Sequence, residues 1–288
     1  MNNIVLADKA GFCFGVKRAV DEALASQKGK AKKIYTLGPL IHNKDVISRL
    51  QDTDIHTIDI NDIYRLEKGD TVILRSHGVG KDVINLLKQR QLDIIDATCP
   101  YVKHIHNIVE KYYNMDYKII IIGDPIHPEV IGINGWCENS AIVLEHGYAK
   151  GKLPGKVCVV CQTTEKQESF KRAIDIISDQ CREFVVFNTI CSATGSRQSS
   201  AAELAAKMDV MIVIGDKSSS NTNKLYEICK NKCKDTFYIE NHESIDEEVY
   251  SKINSGSFNI GITAGASTPD WVIDKVISKL KGDKDHGR

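Results

Sequence analysis

The chain has 288 residues, and its 38 lysines and arginines balance its 38 aspartates and glutamates, so the formal net charge is zero. A neutral chain has no overall positive field with which to hold nucleic acid or an anionic membrane surface, and it has no apolar run of about 18 residues that would predict a membrane span. The N-terminus lacks the charged and long apolar regions of a signal peptide, so we expect a cytoplasmic protein with no nucleic-acid and no membrane partner.

Short apolar runs rich in β-branched residues alternate along the chain with stretches of helical character. In chain order, the predicted strands are 3–7, 33–38, 71–75, 93–97, 118–123, 156–160, 184–188, 210–215, 236–239 and 259–263. The predicted helices are 16–27, 83–91, 102–113, 165–181, 199–207, 223–230 and 268–281. This alternation predicts an α/β fold with mostly parallel sheets, and the continuous apolar strands indicate that helices cover both faces of each sheet.

Three of the nine cysteines, Cys13, Cys99 and Cys191, occupy equivalent positions, each directly after a predicted strand and at similar intervals along the chain. Without an export signal, so many cysteines favour metal or redox chemistry over disulfides. We therefore expect three similar α/β lobes that share one centre, with the ranges 1–98, 99–190 and 191–288.

Three converging thiolates suit an iron–sulfur cluster in which one iron has no protein ligand, because full ligation of a cluster takes four cysteines. The ordinary alternative for each cysteine alone is a small buried apolar side chain. Cys158 and Cys161 form a C-x-x-C pattern, but residues three apart on a strand point to opposite faces. Cys229 and Cys233 are four apart on a helical stretch and would share a face, where packing against the sheet is the simpler interpretation.

Other reactive side chains also follow predicted strands, where parallel sheets bind their ligands. They are His42, His77, His127, Glu129, Thr163, Thr164, Ser219, Ser220, Asn221 and Ser267. Imidazoles, the hydroxyls of the run 218–221 and free backbone N–H groups at helix starts could hold a phosphate or diphosphate, and Glu129 could hold or pass a proton. Taken singly, each has a structural alternative as a hydrogen-bonded histidine, a helix cap or a tight turn. His104 and His106 are two apart on a predicted helix and cannot face one site.

The sequence blocks that carry these residues resemble those of the LytB/IspH family, in order, from about residue 4 to about residue 280. The blocks are AGFCFGVKRA, HNKDVISRL, RSHGVG, DATCPYV, HPEVIG, QTT, NTICSATGSRQ, KSSSNTNKL and TAGASTPDW. The chain departs from many relatives at residues 124–126, before His127, and at Ser218, where asparagine is common.

The resemblance implies a trefoil of three α/β lobes around one [4Fe–4S] cluster per chain, held by Cys13, Cys99 and Cys191. It implies an iron–sulfur oxidoreductase of the non-mevalonate (MEP/DOXP) isoprenoid pathway. The expected substrate is 4-hydroxy-3-methylbut-2-enyl diphosphate, whose hydroxyl is removed as water with two electrons and two protons to give isopentenyl and dimethylallyl diphosphates. The electrons would come from a ferredoxin- or flavodoxin-type donor.

By the same resemblance, Glu129 provides the route for a proton and Thr163 hydrogen-bonds the substrate hydroxyl. His127 would contact the diphosphate and take part in proton delivery. The remaining diphosphate-binding residues would be His42, His77, Ser219, Ser220, Asn221 and Ser267.

Two other functions share parts of this pattern. A non-enzymatic iron–sulfur sensor that binds an anionic metabolite would use the same cysteines but would not need Glu129. A zinc-stabilised α/β binding module would use the cysteines without a brown chromophore. The placement of Glu129 and Thr163 beside the cysteine set favours the reductase.

Overall fold

The structure, a computed structural model, describes residues 2–27 and 32–282 of the chain. Its strands are β1 (Asn3–Leu6), β2 (Ile34–Leu37), β3 (Ile55–Ile58), β4 (Thr71–Leu74), β5 (Asp93–Asp96), β6 (Lys118–Ile122), β7 (Ile142–Leu144), β8 (Lys156–Cys161), β9 (Glu183–Val186), β10 (Val210–Ile214), β11 (Asp235–Ile239) and β12 (Asn259–Ala264). Its α-helices are α1 (Phe14–Ala25), α2 (Lys44–Gln51), α3 (Lys81–Gln89), α4 (Pro100–Tyr113), α5 (Pro128–Asn134), α6 (Gln167–Gln180), α7 (Ser192–Ala205), α8 (Ser220–Lys230), α9 (Glu247–Asn254) and α10 (Asp270–Lys281). Among the described residues, no helix is long and apolar enough to cross a bilayer.

The chain divides into two compact units. The first unit comprises Met1–Phe14, His42–Val46 and Ser192–Arg288, and the second comprises Gly15–Ile41 and Ile47–Cys191. The first unit contains the sheet β1-β12-β10-β11, and the second contains the sheets β3-β2-β4-β5 and β7-β6-β8-β9. All their strand pairs are parallel. The predicted α/β class with parallel sheets is therefore confirmed, as three four-stranded sheets.

Helices cover both faces of the sheet in the first unit. Strand β10 is buried along its whole length, which explains why its sequence VMIVI shows no polar alternation. Ile212 packs against α9 and α10 on one face. Met211 and Val213 pack with Leu225 and Cys229 on the other face. Helices thus hold β10 on both faces. Its carboxyl end, where parallel sheets place their ligand-binding loops, is therefore rigid.

The second unit shows the same construction around β6 and β8. Cys158 packs with Val109 of α4 on one face of the sheet. Cys161 packs with Ala173 of α6 on the opposite face. Strand β8 is continuous through both cysteines, so the C-x-x-C pattern serves two apolar cores and does not form a chelate.

The predicted strands and helices are present with shifted ends, but five short elements are missed. They are β3, β7, α2, α5 and α9. Strand β3 is an edge strand with two exposed residues in four, so it lacks the apolar run that identified the others. Helices α2, α5 and α9 have only seven or eight residues each, too few for a clear helical period.

Two expectations need correction. Strand β1, predicted within the lobe 1–98, pairs with β12 from Asn3 opposite Asn259, because the edge of the carboxyl-terminal sheet is open to it there. Helix α8 ends at Lys230, so Cys233 lies beyond it. Cys233 and Cys229 nevertheless pack in one apolar cluster. The lobe ranges 1–98, 99–190 and 191–288 otherwise stay a prediction.

Candidate active site

Exposure separates the nine cysteines into two groups. Cys13, Cys99 and Cys191 are partly exposed, whereas the other six are buried. Burial raises the pKa of the thiols of Cys158 and Cys229 to about 12. The thiolate is the form that binds metal, so these buried thiols are poor ligands. The three partly exposed cysteines are the same three that were expected to bind metal because each follows a predicted strand.

Cys13 lies in the first unit, in the loop that follows β1. Its backbone N–H donates to the carbonyl of Ala266, at 3.2 Å, in the turn between β12 and α10. The buried guanidinium of Arg197 donates to the carbonyl of Gly11, at 2.8 Å, and ties the same loop to α7. The Cys13 loop is therefore held against the turn that carries Ser267.

Cys99 lies in the second unit, directly before α4. Its backbone N–H donates to the carbonyl of Ser76, at 3.0 Å, and Pro100 opens the helix. A β-carbon at Gly15 would approach the Cys99 Sγ to 2.6 Å, so only glycine allows α1 to pass this close. The N-terminal end of α4 favours negative charge at the Cys99 sulfur.

Cys191 is attached to the turn that carries Thr163. Its backbone N–H donates to the carbonyl of Thr163, at 2.9 Å, and α7 begins at the next residue. A predicted helix start at 199 is therefore seven residues late, because the polar sequence SATGSRQ gives no apolar period. Thr164, next to Thr163, is occupied by a hydrogen bond from the Gln162 amide, at 2.9 Å.

Glu129 and Thr163 form a buried pair. One carboxylate oxygen of Glu129 accepts the Thr163 backbone N–H, at 2.5 Å, and the other accepts its hydroxyl, at 2.6 Å. Glu129 is 2% exposed and Thr163 is 8% exposed. Because the Thr163 proton points to Glu129, the lone pairs of its oxygen remain available to accept a hydrogen bond. This geometry suits a threonine that relays a proton between the carboxylate and a bound hydroxyl.

His127 caps the helix that carries Glu129. Its Nδ1 accepts the Glu129 backbone N–H, at 3.1 Å, so the proton of the neutral ring lies on Nε2. The ring meets that of His77 edge-on, with the ring centroids 5.5 Å apart. The structure thus connects His77, at the end of β4, with His127 and Glu129, after β6.

The turn that carries His77 rests on a buried histidine. His106 is 4% exposed and stacks on Trp136, with the ring centroids 4.9 Å apart. The indole N–H of Trp136 donates to the carbonyl of Val79, at 3.0 Å. Loss of solvent on burial lowers the pKa of His106 to about 4, so the ring is neutral. His106 therefore supports the turn of His77 from the protein interior. His104, two residues earlier on the same helix, is exposed.

The first unit contains the candidate anion-binding residues. Ser219 caps α8 and accepts the Thr222 backbone N–H, at 3.4 Å, and Ser220 opens the helix. Asn221 is 4% exposed and Ser267 is 7% exposed. Neither the Asn221 amide nor the Ser267 hydroxyl finds a hydrogen-bond partner among the described residues. Buried polar groups without partners are costly, so the Asn221 Nδ2 and the Ser267 hydroxyl, which can both donate, suit a ligand that brings hydrogen-bond acceptors.

The two turns that carry these residues are packed together. A β-carbon at Gly215 would lie 2.8 Å from the hydroxyls of both Thr222 and Thr268. The N-terminal turn of α8 and the turn between β12 and α10 therefore meet at the end of β10. Small residues at 263–267 make this close approach possible. His42 completes the group, with its Nδ1 at 3.2 Å from the Ser218 Oγ.

The predicted residues thus fall into two sets. In the second unit, successive contacts link Cys99, His77, His127, Glu129, Thr163 and Cys191 through their turns. In the first unit, the loop of Cys13 lies against the turn of Ser267, and the turn of Asn221 packs on that same turn. That the two sets act on one ligand stays a prediction.

Comparison with known proteins agrees with the geometry. The family model described as LytB protein matches residues 4–281. The chain belongs to the LytB family. Among its relatives, the 4-hydroxy-3-methylbut-2-enyl diphosphate reductase of Clostridium perfringens (strain SM101 / Type A) is 54% identical over 279 residues, which cover 97% of this chain and 98% of the relative.

Two solved structures extend the LytB comparison to three dimensions. The structure of (E)-4-hydroxy-3-methyl-but-2-enyl diphosphate reductase, described as the terminal enzyme of the non-mevalonate pathway, is 41% identical, with a TM-score of 0.71, and covers 98% of this chain and 100% of that one. The structure of the E-1-hydroxy-2-methyl-but-2-enyl-4-diphosphate reductase from Plasmodium falciparum is 27% identical, with a TM-score of 0.86, and covers 97% of this chain and 88% of that one. The fold of LytB proteins is therefore the fold of this chain.

LytB proteins depend on an iron–sulfur group, and three of the cysteines described above have the properties of ligands for such a group. Cys13, Cys99 and Cys191 are the three whose side chains are not buried. Each is held by a backbone hydrogen bond to a turn at the end of a neighbouring strand. Thiolates held on rigid turns are the ligands that iron–sulfur clusters use.

Proposed function

We propose that this LytB-family chain is a 4-hydroxy-3-methylbut-2-enyl diphosphate reductase. The reaction takes up two electrons and two protons, breaks the allylic C–O bond and releases the hydroxyl as water. The products are isopentenyl and dimethylallyl diphosphates. The observation that carries the proposal is the position of Thr163, whose hydroxyl donates to Glu129 and whose carbonyl accepts the backbone N–H of Cys191. These two contacts support a proton relay at Thr163 beside a cluster ligand at Cys191.

Cys13, Cys99 and Cys191 would hold a [4Fe–4S] cluster, one per chain. When bound, the cluster would pass the donor's two electrons to the substrate one at a time and would act as a Lewis acid toward the hydroxyl that leaves. Three thiolates suit this role, because a cluster ligated by four cysteines leaves no iron free of protein.

Thr163 and Glu129 would handle the proton for the departing hydroxyl. The Thr163 oxygen accepts a hydrogen bond from the substrate hydroxyl while its own proton points to Glu129. When Glu129 is protonated, Thr163 gives its proton to the leaving oxygen and receives the Glu129 proton in exchange. The backbone N–H of Thr163 also donates to Glu129, which keeps the carboxyl aimed at the relay throughout.

The diphosphate would be bound by the hydroxyls of Ser219, Ser220 and Ser267 together with the Asn221 amide. Asn221 and Ser267 are buried with unsatisfied polar atoms, and phosphate oxygens would accept hydrogen bonds from the Asn221 Nδ2 and the Ser267 hydroxyl. The imidazoles of His42, His77 and His127 would add N–H donors. Binding energy from this remote group would position the allylic carbon for reduction.

The electrons would come from a small ferredoxin- or flavodoxin-type protein in the cytoplasm. Each turnover consumes two electrons, so an external donor must replace them. Donors of either type can be compared directly by the rate at which each supports product formation.

Anaerobic turnover tests the proposal. The iron-loaded protein is mixed with reduced viologen, and dye oxidation is followed as 4-hydroxy-3-methylbut-2-enyl diphosphate is added. We expect substrate-dependent oxidation, two dye molecules oxidised per product, and both product isomers after chromatographic separation. A protein with a full iron content that oxidises no dye would instead be an iron–sulfur sensor. A protein that purifies with zinc and no brown chromophore would be a binding module.

A further inference from the structure

The loop between β10 and α8 holds a residue whose side chain points to a histidine. Ser218 opens the run 218–221, in which the sequence predicts an anion cradle. Its hydroxyl donates to the Asp216 Oδ1, at 2.6 Å, and its oxygen lies 3.2 Å from the His42 Nδ1. The Ser218 backbone N–H also donates to the Asp216 Oδ1, at 2.8 Å. The hydroxyl is therefore engaged within the protein.

The hydrogen bonds that connect Asp216, Ser218 and His42 determine where the protons lie. A hydroxyl has one proton, and that of Ser218 points to the carboxylate of Asp216. The Ser218 oxygen can then only accept from His42, so the Nδ1 of His42 carries a proton. Asp216 is 7% exposed, and its negative charge behind Ser218 favours a positively charged imidazole. A charged imidazole donates from Nε2 as well, which is what an anionic ligand requires.

The surroundings keep this chain of contacts in place. The Tyr238 Oη lies 2.9 Å from the carbonyl of Asp216. The carboxylate of Glu240 accepts the Lys217 backbone N–H, at 3.4 Å, and pairs with the Lys44 ammonium, at 2.9 Å. Glu240 thus joins the loop of Ser218 to the segment His42–Val46. The segment His42–Val46 is therefore held at two points, through the Lys44 ammonium and through the His42 ring.

We propose that Asp216 and Ser218 are positioning residues that act through His42 and set its capacity to bind the diphosphate. Ser218 orients the imidazole and holds the proton on Nδ1, and Asp216 holds the Ser218 hydroxyl. The proposal rests on the proposed function, in which His42 binds the diphosphate. It assigns to Ser218 a different role from those of Ser219 and Ser220, which would touch the ligand.

Matched variants of Ser218 separate the hydroxyl from the shape of the side chain. Ser218→Thr keeps the hydroxyl, and Ser218→Val introduces a side chain that has the shape of threonine but no hydroxyl. We expect Ser218→Val to raise the KM for the substrate and the Kd for inorganic diphosphate about tenfold, with kcat within about twofold. Ser218→Thr should stay near wild type. Calorimetry measures the Kd, so one readout does not depend on turnover.

A double-mutant cycle tests whether the effect passes through His42. In a His42→Ala background, Ser218→Val should weaken diphosphate binding by less than about twofold. Asp216→Asn keeps an oxygen acceptor but removes the charge, and we expect an intermediate loss of affinity. Ser218→Ala gives the same expectation as Ser218→Val, so a folding defect of the valine variant alone does not decide the result.

Two outcomes would overturn the proposal. Equal KM and Kd values for Ser218→Thr and Ser218→Val would show that the hydroxyl has no role. An undiminished effect of Ser218→Val in the His42→Ala background would show that Ser218 acts elsewhere. Failure of the proposed function is distinct from both, because it would appear as wild-type protein that carries iron and oxidises no dye.

Discussion

Glu129 and Asn221 are buried to a similar degree, at 2% and 4% exposure, but their surroundings satisfy them differently. Both oxygens of Glu129 accept hydrogen bonds from Thr163. Both polar atoms of the Asn221 amide are without a hydrogen-bond partner among the described residues. The first region, around Glu129, is organised within the protein, and we expect a ligand to complete the second region, around Asn221.

The largest expected effect comes from removing a proposed cluster ligand, Cys191, in the organised region. Cys191→Ser should lose most of its iron and reduce turnover by at least about 100-fold, because the sulfur and not only its position is needed. Iron and sulfide analysis with anaerobic turnover measures both. Cys181→Ala, at a buried thiol, is the matched control and should retain its iron. Full turnover and full iron in Cys191→Ser would contradict the ligand assignment.

A change at the carboxylate should affect the chemical step rather than binding. Glu129→Gln keeps the shape and one acceptor but cannot supply a proton, so kcat should fall by about 100-fold or more. The KM for the substrate and the iron content should stay near wild type, because neither the anion-binding residues nor the cysteines are altered. Turnover at several substrate concentrations separates the two constants. Unchanged kcat would favour the sensor.

A change in the second region should have the opposite pattern. Ser267→Ala should raise KM about tenfold while kcat changes little. It should leave the free energy of unfolding of the ligand-free protein unchanged or higher, because it removes a buried hydroxyl without a partner. Thr163→Val, which deprives Glu129 of a donor, should lower that free energy by about 1–3 kcal/mol. Denaturant unfolding of both proteins without substrate tests the contrast, and equal losses of stability would remove it.

The last prediction concerns the pH dependence of stability that arises at His106, behind the turn of His77. Burial lowers the pKa of His106 from 6.5 to about 4, so the unfolded chain binds a proton that the folded chain does not bind between these values. The contribution of neutral His106 to the free energy of unfolding should therefore be fully present above pH about 6.5. It should decrease as the pH falls toward about 4, by up to about 3 kcal/mol in total. His106→Phe retains the stack on Trp136 and should remove this part of the pH dependence. Unfolding curves across this pH range measure it, and a wild-type curve identical to that of His106→Phe would contradict the assignment.

Much of the fold could be predicted because its strands are buried on both faces. Strands such as β6 and β10 are continuous apolar runs, and such runs stand out in a sequence. Edge strand β3 could not be predicted because half of its residues are exposed, and helix α5 could not because seven residues are too few for a clear helical period. The start of α7 could not be predicted for another reason, because the residues buried in its first two turns, Thr194 and Arg197, are polar and give no apolar period.

Candidate residues could be predicted because parallel sheets place ligand-binding groups after their strands. The positions of Glu129 and Thr163 follow from that rule, and the structure adds the two hydrogen bonds between them. The connection from Asp216 through Ser218 to His42 could not be predicted, because it joins loops that are 176 residues apart at Ser218 and His42. No local pattern records such a contact.

The sequence by itself determined the α/β class, the placement of Cys13, Cys99 and Cys191 after strands, and the membership in the LytB family, because all three depend on local patterns of residues. Only the tertiary structure decided that these three cysteines keep exposed surface while six are buried, that β1 joins the sheet of β12, and that the Ser218 hydroxyl is directed to Asp216. Burial, strand partners and hydrogen-bond partners depend on residues far apart in the chain, which the free energy of the whole fold brings together.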